Sequence, residues 1–214
     1  MKTKISVLLL SVLLILSLTA CKGNSAGSET TANPETTAAT EQNTTEAAAK
    51  EKTESTESKT LVVYFSATGT TKGVAEKIAK IENADLYEIK AAQEYTSADL
   101  DWNDSTSRST KEQNDKSARP EISGETLSLD GYSKIYIGYP IWWGEEPRIM
   151  DTFVESYDFD GITMIPFCTS SSSGIGRSGR NLEENAKSGN WLNGERFSGG
   201  ASESDVQLWI DSIK

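Results

Sequence analysis

Three short segments carry residue types whose spacing suits ligand chemistry. Ser66-Ala67-Thr68-Gly69-Thr70-Thr71 sets four hydroxyls and a glycine directly after the apolar run Leu61-Val62-Val63-Tyr64-Phe65. At a helix N-terminus such a loop offers a phosphate backbone N–H groups, side-chain donors and the positive end of the helix dipole. Gly69 lets the backbone come close, and Lys72 is near but not required. The Gly-x4-Gly-Lys spacing of a P-loop is absent. The same residues also read as an ordinary Ser/Thr cap and turn. The second segment, Pro140-Ile141-Trp142-Trp143-Gly144-Glu145-Glu146-Pro147, holds two adjacent tryptophans. Neighbours on an extended chain point opposite ways, so one indole suits the core and the other needs a flat partner; the alternative packs both as core. The third, Cys168-Thr169-Ser170-Ser171-Ser172-Ser173-Gly174-Ile175-Gly176, is a polar loop that suits the edge of a heterocycle or serves as plain surface. Gly174 to Gly179 matches G-x-G-x-x-G, but it lies well past a strand instead of opening a helix, and a lone match is weak.

The chain has no histidine, which removes Ser-His-Asp and Cys-His catalysis and His-ligated zinc. Two cysteines, Cys21 and Cys168, exclude a disulfide-dense module and a Cys-rich metal site. Cys168 reads as a free, partly buried thiol with no basic neighbour to activate it.

The elements that must position these loops alternate. Strands are expected at Leu61–Phe65, Ala84–Ile89, Ile135–Tyr139 and Ile162–Phe167, with a short fifth near Trp191–Phe197. Helices are expected after Gly69, after Pro147, near Asn181–Lys187, and from the capping pair Ser202/Asp205 through Ile213. Pro166 is awkward inside a strand. Residues 92–130 form a long polar excursion, with a helix near Ser107–Ala118. The pattern predicts an α/β fold with a doubly wound, mostly parallel sheet covered on both faces. Ligand sites in such sheets lie beyond the carboxyl ends of the strands, where all three loops fall.

All 17 aromatic residues lie at or beyond Tyr64, so the folded unit is residues 60–214. Residues 1–20 read as a signal peptide: Lys2 and Lys4, an apolar run from Ile5 to Leu18, then small residues. Leu18-Thr19-Ala20-Cys21 resembles the bacterial lipoprotein box. That implies cleavage before Cys21, lipid on its thiol, and a location at the extracytoplasmic face of the cell membrane. Residues 21–59 read as a disordered Thr/Glu/Ala-rich tether with too few apolar side chains to offset ordering entropy. Net charge is −11; the first 59 residues hold six Lys and seven Glu, so residues 60–214 carry −10. That disfavours nucleic acid as a partner. Glu145, Glu146, Asp158 and Asp160 read either as an acidic rim for a docking partner or as solvated surface.

The strand followed by Ser-Ala-Thr-Gly-Thr-Thr, the Gly-Tyr-Pro-Ile-Trp-Trp-Gly-Glu-Glu-Pro-Arg segment and the Pro-Phe-Cys-Thr-Ser…Gly-Ile-Gly segment together resemble the flavodoxin-like proteins of bacteria. The resemblance covers residues 60–214 and implies a doubly wound, five-stranded parallel sheet and non-covalent FMN. It implies that Ser66, Thr68, Gly69, Thr70 and Thr71 hold the phosphate. Pro140, Trp142, Trp143 and Gly144 would border the isoalloxazine, and Thr169, Ser170 and Gly174 its other edge. The implied function is electron transfer to a redox partner protein or a small electron acceptor. An FMN-dependent NAD(P)H:acceptor (quinone-type) oxidoreductase and a non-redox binding module that has lost FMN are the alternatives. The excursion of residues 92–130 departs from the minimal family pattern.

Overall fold

The computed structural model describes residues 58–213. The expected signal peptide, Cys21 and the tether up to residue 57 lie outside the described residues. Strand β1 (Lys59–Phe65) is followed by α1 (Thr70–Glu82), β2 (Asp85–Ala91), α2 (Arg108–Asn114), β3 (Ile122–Ser123) and β4 (Tyr132–Pro140). Then come α3 (Arg148–Glu155), β5 (Thr163–Thr169), α4 (Ser178–Ala186), β6 (Asn190–Trp191), β7 (Glu195–Phe197) and α5 (Glu203–Ser212).

The sheet runs β3-β2-β1-β4-β5-β6, with β7 also on β5. Every pairing is parallel except that of β2 with β3. Strand β1 is central, and its side chains alternate between two cores. Leu61, Val63 and Phe65 join Ile149, Met150, Phe153 and Leu182 of α3 and α4. Val62 and Tyr64 join Val74, Ile78, Val206 and Ile210 of α1 and α5. A strand apolar on both sides is what a covered parallel sheet requires, and the doubly wound architecture is the expected one.

Two details differ from the five-strand expectation. The fifth strand is broken into β6 and β7, and Pro166 supplies the reason. Met164 O accepts from Leu192 N at 2.9 Å, so residue 166, two positions on, turns its backbone toward the same neighbour. Proline has no N–H to give there, and the ladder is interrupted beside it. The extra strand β3 is the return of the excursion. Its two residues pair with Lys90 and Ala91, and Ala92 N donates to Glu121 O at 2.8 Å to close the base.

Close approach at the centre of the sheet depends on one glycine. Gly138 of β4 lies in register with Phe167 of β5. A Cβ on Gly138 would fall 2.1 Å from Cζ of that fully buried ring, so the ring occupies the space a side chain would take. Helix ends follow their local signals. Ser202 and Asp205 form a reciprocal capping box on α5, and the Ser107 hydroxyl accepts from Thr110 N at the start of α2.

Candidate functional site

The three loops converge at the carboxyl ends of β1, β4 and β5. Between them lies a cleft of about 660 Å³, a size typical of small-molecule sites, which run from about 300 to 1,000 Å³.

The first loop leaves β1 and enters α1 without a side-chain cap. Gly69 stands at the N-cap with φ +85°, and no acid occupies the first turn. The positive φ suits glycine, and the first-turn N–H groups have no partner within the helix. Ser66 and Thr68 line the cleft, while Gly69 and Thr70 are exposed at the helix start beside it. The Ser66 hydroxyl oxygen is buried and has no hydrogen-bond partner. Thr68 and Thr70 share a 3.3 Å hydroxyl contact at the helix start. Thr71 faces both ways. It lines the cleft, and its hydroxyl lies 2.8 Å from that of Thr169, joining the first loop to the third.

The second loop makes a two-residue hairpin. Trp142 N donates to Glu145 O at 2.9 Å, and Glu145 N returns the bond to Trp142 O at 3.0 Å. Trp143 and Gly144 between them have φ of +50° and +84°. That is a type I′ turn, which glycine adopts freely and tryptophan adopts under strain. The turn separates the two indoles. Trp142 packs edge-on against Phe65 at 5.7 Å and Tyr95 at 5.3 Å. Trp143 stays 45% exposed. Both still border the cleft, with Pro140 beside them. Gly144 is off the lining, and its carbonyl faces Gly176 of the third loop.

The third loop contributes Ser171, Ser172 and Ser173 to the lining. Thr169 is buried behind it. Ser170 and Gly174, expected at the flavin edge, are not on the lining. Ser170 N is bound to Phe197 O, and its hydroxyl donates to Ser173 O, which closes the loop and pushes the next three serines forward. Arg196 holds this shape by donating to Ser170 O at 2.9 Å and Ser171 O at 2.7 Å. No sequence signal marked Arg196. Its register beside Cys168 on β7 is what delivers it.

Residues 92–130 add a fourth side. Leu100, Trp102 and Ser109 line the cleft. Gln113 of α2 donates to Trp142 O at 3.0 Å and Glu146 O at 3.1 Å, fastening the tryptophan hairpin from beneath.

Of the four acids read as a docking rim or as solvated surface, Asp158 and Asp160 are exposed, and Glu146 is the one that the structure corrects. Glu146 is 1% exposed, tucked under the hairpin with Arg148 and Asp151. Arg148 lies 3.5 Å from each of these two acids and 2.7 Å from Glu145. Asn181 donates to both oxygens of Glu146, and Asn185 to Asp151. Burial, with Asp151 nearby, pushes the Glu146 carboxyl up to about 7, while Arg148 holds Glu145 below the usual carboxylate range. The acids turn inward because Arg148 and Asp151 lie three apart on the buried face of α3. Cys168 is free and fully buried. Burial pushes its thiol up to about 12, and the nearby Arg196 offsets only part of that rise. Among the described residues, no charged side chain lines the cleft.

A doubly wound α/β sheet whose first loop presents an uncapped helix N-terminus, beside an exposed indole, defines a site of the flavodoxin-like class. The flavodoxin family profile matches residues 59–213, and the chain belongs to that family. A protein of Bacteroides uniformis described as a flavoprotein is 48% identical, with 72% of this chain and 98% of that chain covered and a TM-score of 0.69. A similar protein of Bacteroides eggerthii is 46% identical over 73% and 98%, with a TM-score of 0.68. A Lactobacillus acidophilus flavoprotein solved in complex with FMN is 25% identical over 72% and 99%, with a TM-score of 0.55. None of the curated proteins compared matches the chain.

Proposed function

We propose that this protein binds FMN in the three-loop cleft and transfers electrons through it, held at a membrane surface by a lipid anchor on Cys21. One observation carries the ligand reading. The Ser66 hydroxyl is buried without a partner beside a helix N-terminus that no side chain caps. Leaving such a group unpaired costs free energy, and a phosphate would satisfy it. Ser66, Thr68, Thr70 and the α1 amides would hold the phosphate. The half-exposed Trp143 offers a flat apolar face to the ring system. Complex formation with FMN by the Lactobacillus relative supports the same reading. Bound FMN supplies reversible electron uptake. The protein's part is to hold it, exclude water from one face and set its potential. The net charge of the domain and the aromatic wall both disfavour added negative charge, so a potential below that of free FMN is expected.

The test uses the full chain in mild detergent, stripped of flavin and titrated with FMN. One FMN per chain with quenched flavin fluorescence is the expected result; a protein that stays colourless in excess FMN refutes it. The anchor is tested separately. Cys21→Ala should move the chain from the membrane fraction to the soluble fraction, and an unchanged distribution would remove the anchor from the proposal.

A further inference from the structure

Beneath the tryptophan hairpin, three acids share one cation. Glu145, Glu146 and Asp151 lie 2.7, 3.5 and 3.5 Å from the guanidinium of Arg148. Glu145 has a second cation in Lys116 at 3.7 Å and keeps 33% of its side chain in solvent. Asp151 accepts from Asn185, and Arg119 adds its field. Glu146 is the one left short. Its side chain is 1% exposed, and beyond Arg148 its carboxyl meets its own backbone N–H and the amide of Asn181, both neutral. Tyr139 of β4 also faces it, and burial keeps that phenol neutral. On the excursion side Gln113 O accepts from Arg148, and Asp115 lies within reach of its charge.

One guanidinium cannot neutralise three carboxylates, and a buried carboxyl without its own cation keeps its proton instead. Charge count and burial put that proton on Glu146. Burial pushes its carboxyl up to about 7. Burial raises Asp151 as well, but Asn185, Arg148 and Arg119 oppose the rise.

The cluster is tied to the cleft. Gln113 Nε2 donates to the carbonyls of both Glu146 and the cleft-lining Trp142, so the two main chains stand two hydrogen bonds apart. Glu146 also follows directly on the hairpin that carries Trp143. No charged side chain of the described residues lines the cleft, so no fixed cation there offsets a negative charge that arrives. Such a charge raises the proton affinity of a nearby buried carboxyl.

We infer that Glu146 takes up a proton from solvent when the bound flavin is reduced, so that electron uptake in the cleft depends on pH. This rests on the FMN reading above and supplies its regulation. One electron passes to the cofactor from a redox partner protein, which is oxidised in exchange. One proton from water forms an O–H bond on the Glu146 carboxylate, and the charge gained in the cleft is offset beneath it. Glu146 does not line the cleft and acts on it through charge alone. At acid pH it holds its proton before and after reduction, and at alkaline pH in neither state. Between the two, reduction draws the proton in.

The experiment measures the potential of the FMN-loaded full chain against pH, by equilibration with redox dyes, for the wild type, Glu146→Gln and Asp151→Asn. Glutamine keeps the shape and neutrality of the protonated acid. The wild type and Glu146→Gln should agree at about pH 5. The wild type should then fall below the variant as pH rises through about 7. Asp151→Asn should keep that fall but show it at lower pH, because it removes a charge that raises Glu146. A second readout needs no flavin. Difference infrared spectra of the stripped protein should show a protonated carboxyl band that fades over the same range and is absent from Glu146→Gln. Reduction of the loaded chain should move the midpoint of that band up by about one pH unit.

A difference between the wild type and Glu146→Gln that ignores pH overturns the inference, as does a wild type that Glu146→Gln matches throughout. Loss of the fall in Asp151→Asn would put the proton on Asp151 and overturns it too, as does a carboxyl band that reduction leaves in place. An unchanged melting temperature at acid pH shows that Glu146→Gln is folded. Failure of the underlying reading shows earlier, as no uptake of FMN, and takes the inference with it.

Discussion

Replacing Ser66 by alanine should separate ligand affinity from stability. The hydroxyl oxygen is buried and unpartnered, while the rest of the residue is only half-buried. An unsatisfied buried polar group costs about 1–3 kcal/mol, so removing it should stabilise the flavin-free protein by about 1 kcal/mol. For a domain of this size that is a rise in melting temperature of about 2–4 °C. With FMN bound the sign reverses. A hydrogen bond to a charged phosphate contributes about 1.5–3 kcal/mol, so the variant should bind FMN roughly 10- to 150-fold more weakly. Urea unfolding of the stripped protein gives the first quantity, and quenching of FMN fluorescence gives the second. A variant that is less stable and binds FMN as well as the wild type would show that the hydroxyl supports the fold and has no part in a phosphate site.

Other outcomes follow from the same structure. The raised Glu146 carboxyl keeps its proton in the folded state up to about 7, where the unfolded chain, with its ordinary carboxyl value of 4.5, has lost it. Its contribution to stability is therefore complete below that ordinary value and is lost as pH rises through the folded one, amounting to about 3 kcal/mol. Glu146→Gln should gain stability over the wild type at alkaline pH but not at acid pH, by denaturant titration at both; a difference independent of pH would refute this. Gly138→Ala forces a methyl into the Phe167 ring and should destabilise by about 3 kcal/mol or more, read from the unfolding midpoint. The Cys168 thiol should resist a disulfide reagent in mildly alkaline buffer in the native state and react only on unfolding, measured by thiol release over time. Gln113→Leu leaves the Trp142 and Glu146 carbonyls without that donor and should lower stability by about 2 kcal/mol; an unchanged urea midpoint would show that the hairpin holds itself.

What the sequence made legible was local. The apolar run Leu61–Phe65 followed by Ser66 to Thr71 predicts a strand, a turn and a helix start, and the chain forms them in that order. The opposed roles of Trp142 and Trp143 followed from alternation, although the structure achieves them through a turn and not an extended strand. What escaped was set by distant partners. Glu146 reads as surface until Asn181, 35 residues on, is placed beside it. The charged pair Arg148 and Asp151, three apart on an apolar helix face, was the available clue. Ser171 to Ser173 displace Ser170 and Gly174 because Arg196 shapes their loop, and four consecutive serines give no register of their own. Of the excursion, the helix near Ser107–Ala118 was legible and forms as α2, but the rest was not, for the same reason. Tyr95, Arg108, Glu112 and Gln113 organise it through polar contacts that carry no periodicity.

Direction in the parallel sheet also decides how the domain can be held. Chain before Ser58 joins at the amino end of β1, while the cleft opens beyond Phe65 at the other end. Seven extended residues separate the two ends, a span of about 20 Å. The attachment point and the working mouth thus sit at opposite poles of one rigid strand. A support coupled through the N-terminal segment grips the pole away from the ligand, so a surface-immobilised form should keep an open mouth.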